Sequence, residues 1–505
     1  MNESLSAEHE RLGKIVTEIV ARYARSLDEV RVCSQITPGT LEKMFDEPLP
    51  VEGSAAEELF ARFTQDIVPH AMNIPSPRYY GLFNPTPLPV AVWADALCSA
   101  INQNGAAWRN APAANVIEGR VLNWLCEIIG FGGGSYGTLT SGGSEANLLA
   151  LKCARDRAAR FVRDKGMRAT VASVLNSKTG EDSIPHAANA GHMIVYASEQ
   201  SHYSLVKSVD ILGLGRENLR KIETDERFHV RTDSLRREIE RDLAAGNLPV
   251  CIAGAAGATS TGIIDPLDEL ADVAREYDLW FHVDAAYGGA LAMSAKYKHR
   301  LRGIERAHSV TIDPHKWMFV PFAAGALLVG EGASVLREAF DITPEYLSEQ
   351  RGGEDVPFDF FRYGQLGTRR FNALKVWFAL KTLGVRGYAE IIERQVGLAE
   401  YFAARIAELE EFECVGQVET AVCCLRFMPA QMRARDGAAR DALQQSLQQR
   451  IERSGEAWLS TTVLHGRRAL RVNINSFLTE RRHIDDLIEL LRREGAELMK
   501  AEKTR

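Results

Sequence analysis

Four short stretches of this 505-residue chain carry residue types that do chemistry. The first, Thr140-Ser-Gly-Gly-Ser-Glu-Ala-Asn147, follows an apolar run and opens the helical pattern NLLALKCARD. Two adjacent glycines let backbone approach an anion, and the free N–H groups of a helix start favour a phosphate. No Gly-Lys-Ser/Thr closes the stretch, so it is not a P-loop, and a plain Ser-capped helix start competes with the phosphate reading. The second stretch, Phe281-His-Val-Asp-Ala-Ala-Tyr-Gly-Gly289, is an apolar strand ending in Asp284. In an open parallel sheet such strand ends face the ligand crevice. An acid there can cap a helix, bind a metal or partner a cationic ring nitrogen. Alternation turns His282 and Asp284 to one face, but no further ligands can be placed, so no metal is expected. The third, Thr311-Ile-Asp-Pro-His-Lys-Trp317, puts Lys316 at 32 positions after Asp284, beside Pro314, Trp317 and a long apolar run. Desolvation there would lower the amine's pKa and suit Schiff-base chemistry, although most lysines simply snorkel to the surface. The fourth, Glu199-Gln-Ser-His-Tyr-Ser204, offers His202 just after the apolar run MIVYA.

Such residues need a frame. From about Ala91 to Lys381 short apolar runs alternate with amphipathic helical patterns. Strands are expected at Gly137–Thr140, Met193–Ala197, Val250–Ala255, Leu279–Val283, Ser309–Ile312 and Gly325–Val329. Between two of them, DPLDELADVAREYD sets Leu267, Leu270, Ala271 and Ala274 on one helical face, with Asp265-Pro266 at its start. Strand–helix repetition implies a mostly parallel sheet covered on both faces. The first ~75 residues read as helices, Leu12, Ile15, Val16, Ile19 and Val20 recurring at helical spacing. Five prolines between Pro75 and Pro89 then forbid a long helix. The C-terminal residues alternate short strands (VETAVCCLRF, ALRVNINSF) with helices, the last showing Ile484, Leu487, Ile488 and Leu491 on one side. The expected division is an N-terminal helical segment at 1–90, a large α/β domain at 91–385 and a smaller α+β domain at 386–505.

Composition excludes several classes. With 60 Lys+Arg against 67 Asp+Glu the chain carries a formal charge of −7, which argues against a nucleic-acid-coating surface. The apolar run from Trp317 to Gly330 contains Pro321 and is too short to span a membrane. Eight scattered cysteines with no CxxC pair argue against structural zinc and a disulfide framework. The first thirty residues carry acids throughout and no apolar signal core, so a cytoplasmic location is expected.

A phosphate cradle, a crevice aspartate and a desolvated lysine at successive strand ends are what pyridoxal 5'-phosphate requires. HVDAAYGG followed by DPHKW, with TSGGSEAN and SEQSHYS, resembles the group II pyridoxal-phosphate-dependent amino acid decarboxylases, the family of the aromatic-L-amino-acid and glutamate decarboxylases. The resemblance runs from the proline-rich stretch through LGTRRFNALKVWFALKTLG to LRVNINSFLT. It implies an α/β architecture of the pyridoxal-phosphate transferase fold type I, and a homodimer with active sites at the subunit interface. It further implies that Lys316 bonds the cofactor, Asp284 pairs with the ring nitrogen and His202 stacks over the ring. Gly143, Ser144 and His315 match positions that hold the phosphate, and Thr259 and Ala286 match positions lining the cofactor.

Leu82, Phe83 and Trp108 resemble the family's substrate pocket, an apolar and aromatic set suited to a large side chain, with interface packing as the competing reading. Residues 341–365, with Gly352-Gly353 and adjacent acids, are expected to contain a mobile lid. The leading expectation is decarboxylation of an L-amino acid to the amine and CO2. An aldehyde synthase, which couples decarboxylation to oxidative deamination, or another lyase or transferase on the same scaffold is the alternative. A non-catalytic binding protein is a third. The first two divide on one loop position: the family's proton-donating tyrosine falls at Phe361, and a phenyl ring has no proton to give. Tyr363 lies two positions on and is the donor if the register slips.

Overall fold

A computed structural model describes residues 2–167, 191–342 and 359–503. Contacts divide the chain into two units: Met1–Thr86, Leu398–Val415 and Cys423–Arg505 form one, Pro87–Gly397 and Gly416–Val422 the other. The first 86 residues thus cluster with the C-terminal residues instead of standing as a segment of their own.

In the first unit the periodic N-terminal stretch is the helix Asn2–Ser26. The short strand β1 (Tyr79–Tyr80) lies within the proline-rich stretch, where prolines leave extended backbone as the open course. In the second unit seven strands form one sheet. They are β2 (Tyr136–Thr140), β3 (Met193–Ser198), β4 (Leu219–Ile222), β5 (Leu248–Ala255), β6 (Trp280–Asp284), β7 (Ser309–Ile312) and β8 (Gly325–Val329). Their order is β2-β8-β7-β6-β5-β3-β4. All pairings from β4 to β7 are parallel, and β8 runs antiparallel to both its neighbours. β3 and β5 are buried along their whole length, as strands covered on both faces must be. The remaining strands, β9 (Phe412–Val415), β10 (Val422–Phe427), β11 (Trp458–Leu464) and β12 (Arg467–Asn473), join β1 in a five-stranded sheet, β1-β11-β12-β10-β9.

The helix expected after Asp265-Pro266 runs Leu267–Glu276 and buries Leu267, Leu270, Ala271 and Ala274, but Asp265 does not cap it. Its carboxylate accepts instead from the amides of Ala255 at 2.8 Å and Val230 at 3.1 Å, and burial pushes its pKa up to about 6. No helix among the described residues is long and apolar enough to cross a membrane.

Candidate active site

The antiparallel course of β8 leaves β2, β3, β6 and β7 all running the same way, so Thr140, Ser198, Asp284 and Ile312 end at one sheet edge. The four chemical stretches leave the sheet there. Glycines let their loops meet: a Cβ on Gly143 would lie 3.0 Å from Asp313 Oδ2 and 3.2 Å from Ala286 Cβ, and one on Gly142 would lie 3.1 Å from His315 Cε1. A Cβ on Gly325 would fall 2.7 Å from Asp313 Oδ1. Gly143 opens the helix Gly143–Ala158; the amides of Glu145 and Ala146 donate to the Gly142 carbonyl at 3.0 and 3.1 Å, and those of Gly143 and the exposed Ser144 precede the first bonds of the helix. Ser141 does not cap the helix; its amide and hydroxyl both donate to Glu145 Oε2, at 2.7 and 2.8 Å.

Lys316 is 21% exposed and its Nζ lies 3.0 Å from Oδ2 of the buried Asp313. Sequence reading passed over Asp313, although its spacing of three in DPHK is visible. Asp313 Oδ1 is buried without a hydrogen-bond partner. His315 is buried and donates from Nδ1 to the Ala324 carbonyl at 2.7 Å; burial holds its pKa below the usual imidazole range.

Asp284 is half-buried, with Oδ2 accepting from Asn147 Nδ2 at 2.8 Å and Oδ1 from the Ala286 amide at 3.2 Å. Asn147 Nδ2 also donates to Ser204 Oγ at 2.9 Å, and that hydroxyl lies 2.8 Å from His202 Nδ1. Burial lowers the His202 pKa; the carboxylates of Asp284 and Asp313 oppose the shift and the Lys316 charge adds to it. Four of the expected residues, Lys316, Asp284, His202 and Gly143, therefore share one electrostatic neighbourhood. Thr259 lies half-buried on the turn after β5, and Ala286 is buried. No cluster that could hold a metal ion occurs among the described residues.

Of the remaining expected residues, Trp108, Phe361 and Tyr363 belong to the second unit and Leu82 and Phe83 to the first. Phe361 donates its amide to the Ala106 carbonyl at 3.0 Å and lines a cavity of about 760 Å³ with Lys152, Arg155 and Arg163, which neither Lys316 nor Asp284 lines. Tyr363 is 6% exposed and packs against Tyr136, ring centroids 5.8 Å apart. Trp108 is half-buried, its amide held by Asp359 Oδ1 at 2.9 Å. Leu82 and Phe83 belong to the first unit, where the Arg471 guanidinium sits 4.8 Å from the Phe83 ring centroid. Of the expected lid, residues 343–358 lie outside the described residues.

A family model described as the pyridoxal-dependent decarboxylase conserved domain matches residues 38–428. An aromatic-L-amino-acid decarboxylase of Bacillus atrophaeus is 30% identical over 93% of this chain and 92% of its own. The structure of Oryza sativa TDC with PLP and tryptamine superposes with a TM-score of 0.87 at 27% identity, covering 98% of this chain and 99% of the other. That of Rhodiola rosea 4-hydroxyphenylacetaldehyde synthase superposes with a TM-score of 0.84 at 26% identity, covering 97% and 98%.

Proposed function

The chain belongs to the pyridoxal-dependent decarboxylase family and is a pyridoxal-phosphate-dependent decarboxylase of fold type I, and from that premise we propose that it converts an aromatic L-amino acid to its amine and CO2. What supports the reading is the meeting of an Asp313-paired Lys316 and an Asn147-braced Asp284 at one sheet edge. The residues suit the cofactor: an amine, a half-buried carboxylate, an imidazole, and helix-start amides at glycines where a Cβ would crowd Asp313 and His315. Pyridoxal phosphate, when bound, supplies a sink for the electron pair left as CO2 departs.

The chain's own residues do the rest. Lys316 holds the cofactor, and Asp313 keeps its Nζ in place. Asp284 retains a proton at the ring nitrogen, which a neutral side chain would not do. Gly143, Ser144 and His315 take the phosphate, while His202, Thr259 and Ala286 border the ring. Trp108 selects a large apolar side chain, and the enzyme works as a homodimer in the cytoplasm. The protein would also have to orient the substrate's carboxylate against the bound cofactor, because misorientation costs rate.

Phe361 favours a second reading. Without a hydroxyl at that position the proton is not returned to the substrate's Cα; dioxygen then takes the electron pair and leaves as peroxide, and water releases the product as an aldehyde with ammonia. Tyr363 is the alternative donor for the amine route. Incubating the loaded enzyme with aromatic amino acids under air, and measuring CO2, amine, aldehyde and peroxide together, separates the two. Amine equal to CO2 supports the proposal, and aldehyde with peroxide equal to CO2 replaces it by the second reading.

A further inference from the structure

Beneath Asp284 runs a line of hydrogen bonds whose direction is fixed at both ends. Trp280 Nε1 donates to Ser309 Oγ at 2.8 Å, and that hydroxyl lies 2.9 Å from His282 Nδ1. His282 Nε2 lies 3.0 Å from Asn147 Oδ1, which also accepts from Thr311 Oγ1 at 2.7 Å. Asn147 Nδ2 donates to Asp284 and Ser204, and Ser204 Oγ meets His202 Nδ1. Trp280, Ser309, His282, Thr311, Asn147 and Ser204 are each at most 2% exposed, so no solvent completes their bonding.

An indole N–H only donates and an ionised carboxylate only accepts. Asp284 therefore forces the Asn147 amide to present Nδ2, which leaves Oδ1 facing His282. His282 must carry its proton on Nε2, and its Nδ1 accepts from the Ser309 hydroxyl, which accepts in turn from Trp280. On the other branch Ser204 Oγ already accepts from Asn147, so its proton goes to His202 Nδ1. The Ser204 amide points at the same nitrogen at 3.3 Å, which leaves the His202 proton on Nε2. Every donor and acceptor of the Asn147 side chain is used, and a saturated buried network of this kind holds its members in one arrangement.

We infer that Asn147, oriented by His282 and Thr311, is the positioning residue for both Asp284 and His202, setting the orientation of the carboxylate and the tautomer of the imidazole. Its functional meaning rests on the reading of Asp284 as partner of the ring nitrogen, whereas the direction of the hydrogen bonds does not. Neither Asn147 nor His282 needs to touch the reacting atoms. They act through the two side chains that do.

The test uses the full chain loaded with pyridoxal phosphate and labelled with ¹⁵N-histidine, the His202 and His282 resonances being assigned by their loss in His202→Gln and His282→Gln. Both rings should be neutral with the proton on Nε2 at pH 7. A proton on Nδ1 of either ring overturns the inference. The second measurement is cofactor affinity: His282→Gln, whose amide can still donate to Asn147, should stay within about threefold of wild type, while His282→Leu should weaken binding by about tenfold or more. His282→Leu should also shift the pH at which the bound cofactor's visible band changes. Wild-type affinity and spectrum in His282→Leu, or equal loss in both variants, would mean that His282 only fills space. Expected tautomers alongside undiminished cofactor binding and turnover in Asp284→Asn would instead remove the assigned role of Asp284 and leave the hydrogen-bond line standing.

Discussion

Arg369 and Glu118 form an ion pair whose side chains are only 5% and 4% exposed. Glu118 Oε1 also accepts from the Leu139 amide at 3.3 Å, Arg369 donates to Thr138 Oγ1 at 3.1 Å, and the guanidinium lies 5.1 Å from the Phe360 ring centroid. The pair thus pins the segment after Asp359 to β2. Burial raises the Glu118 pKa and the guanidinium opposes that shift. The two halves of the pair differ in what they can do when abandoned. Without Arg369, Glu118 can take up a proton; without Glu118, Arg369 stays charged at any accessible pH. Breaking a buried pair costs about 3–5 kcal/mol, so Arg369→Met should sit near the lower figure and Glu118→Leu near the upper. The double variant, with both charges gone, should lose far less than the sum of the two single losses, because replacing both members of a buried pair by apolar side chains is often neutral. The cost of Arg369→Met should also shrink between pH 8 and pH 5. Guanidinium unfolding followed by tryptophan fluorescence is the assay, because six of the seven tryptophans lie in the second unit. A loss in the double variant that equals the sum of the singles to within about 0.5 kcal/mol would mean that Arg369 and Glu118 are not coupled.

Three further outcomes follow from the site. Asp284→Asn should bind the cofactor yet lose about a hundredfold or more in turnover, since a neutral amide does not keep the ring nitrogen protonated; unchanged kcat would remove Asp284 from the chemistry. Burial lowers the His282 pKa from 6.5 to about 4, so below pH 6.5 the unfolded chain binds the extra proton and stability falls as the pH drops toward 4, by about 3 kcal/mol in all. Unfolding midpoints measured from pH 7 to pH 4 should show that slope and His282→Gln should flatten it; parallel profiles for the two proteins would contradict the assignment. Phe361→Tyr should raise the ratio of amine to aldehyde, whereas Tyr363→Phe should abolish amine formation if Tyr363 is the donor; a product ratio moved by neither places the donor elsewhere.

The strands at this sheet edge could be read locally because each is a short apolar run ended by a glycine, an acid or a proline. Ser309–Ile312 and Gly325–Val329 match their expected bounds, and Asp284 closes β6. β4 escaped notice because Leu219–Ile222 has only two apolar positions, with Arg220 and Lys221 between them. That Lys316, Asp284 and His202 come together could be expected from their motifs, and their charges do interact. Their partners could not: Asn147 reaches Asp284 across 137 positions and Thr311 across 164, and that pairing depends on strand order, which no local pattern encodes. The pairing of His282 with Asp284 on one face did follow from strand alternation, and both side chains contact Asn147. The start at Asp265-Pro266 was legible, but the partners of the Asp265 carboxylate, the Ala255 and Val230 amides, were not, since they lie 10 and 35 positions away.

This decarboxylase is proposed to hold pyridoxal phosphate on Lys316. Loading the full-length protein with the cofactor, reducing it with borohydride and mapping the labelled peptide tests that claim most directly. The account predicts a single label on the peptide containing Asp313, Pro314, His315 and Lys316, and no label or visible band in Lys316→Ala. A label on any other lysine, or an undiminished label in Lys316→Ala, would contradict it.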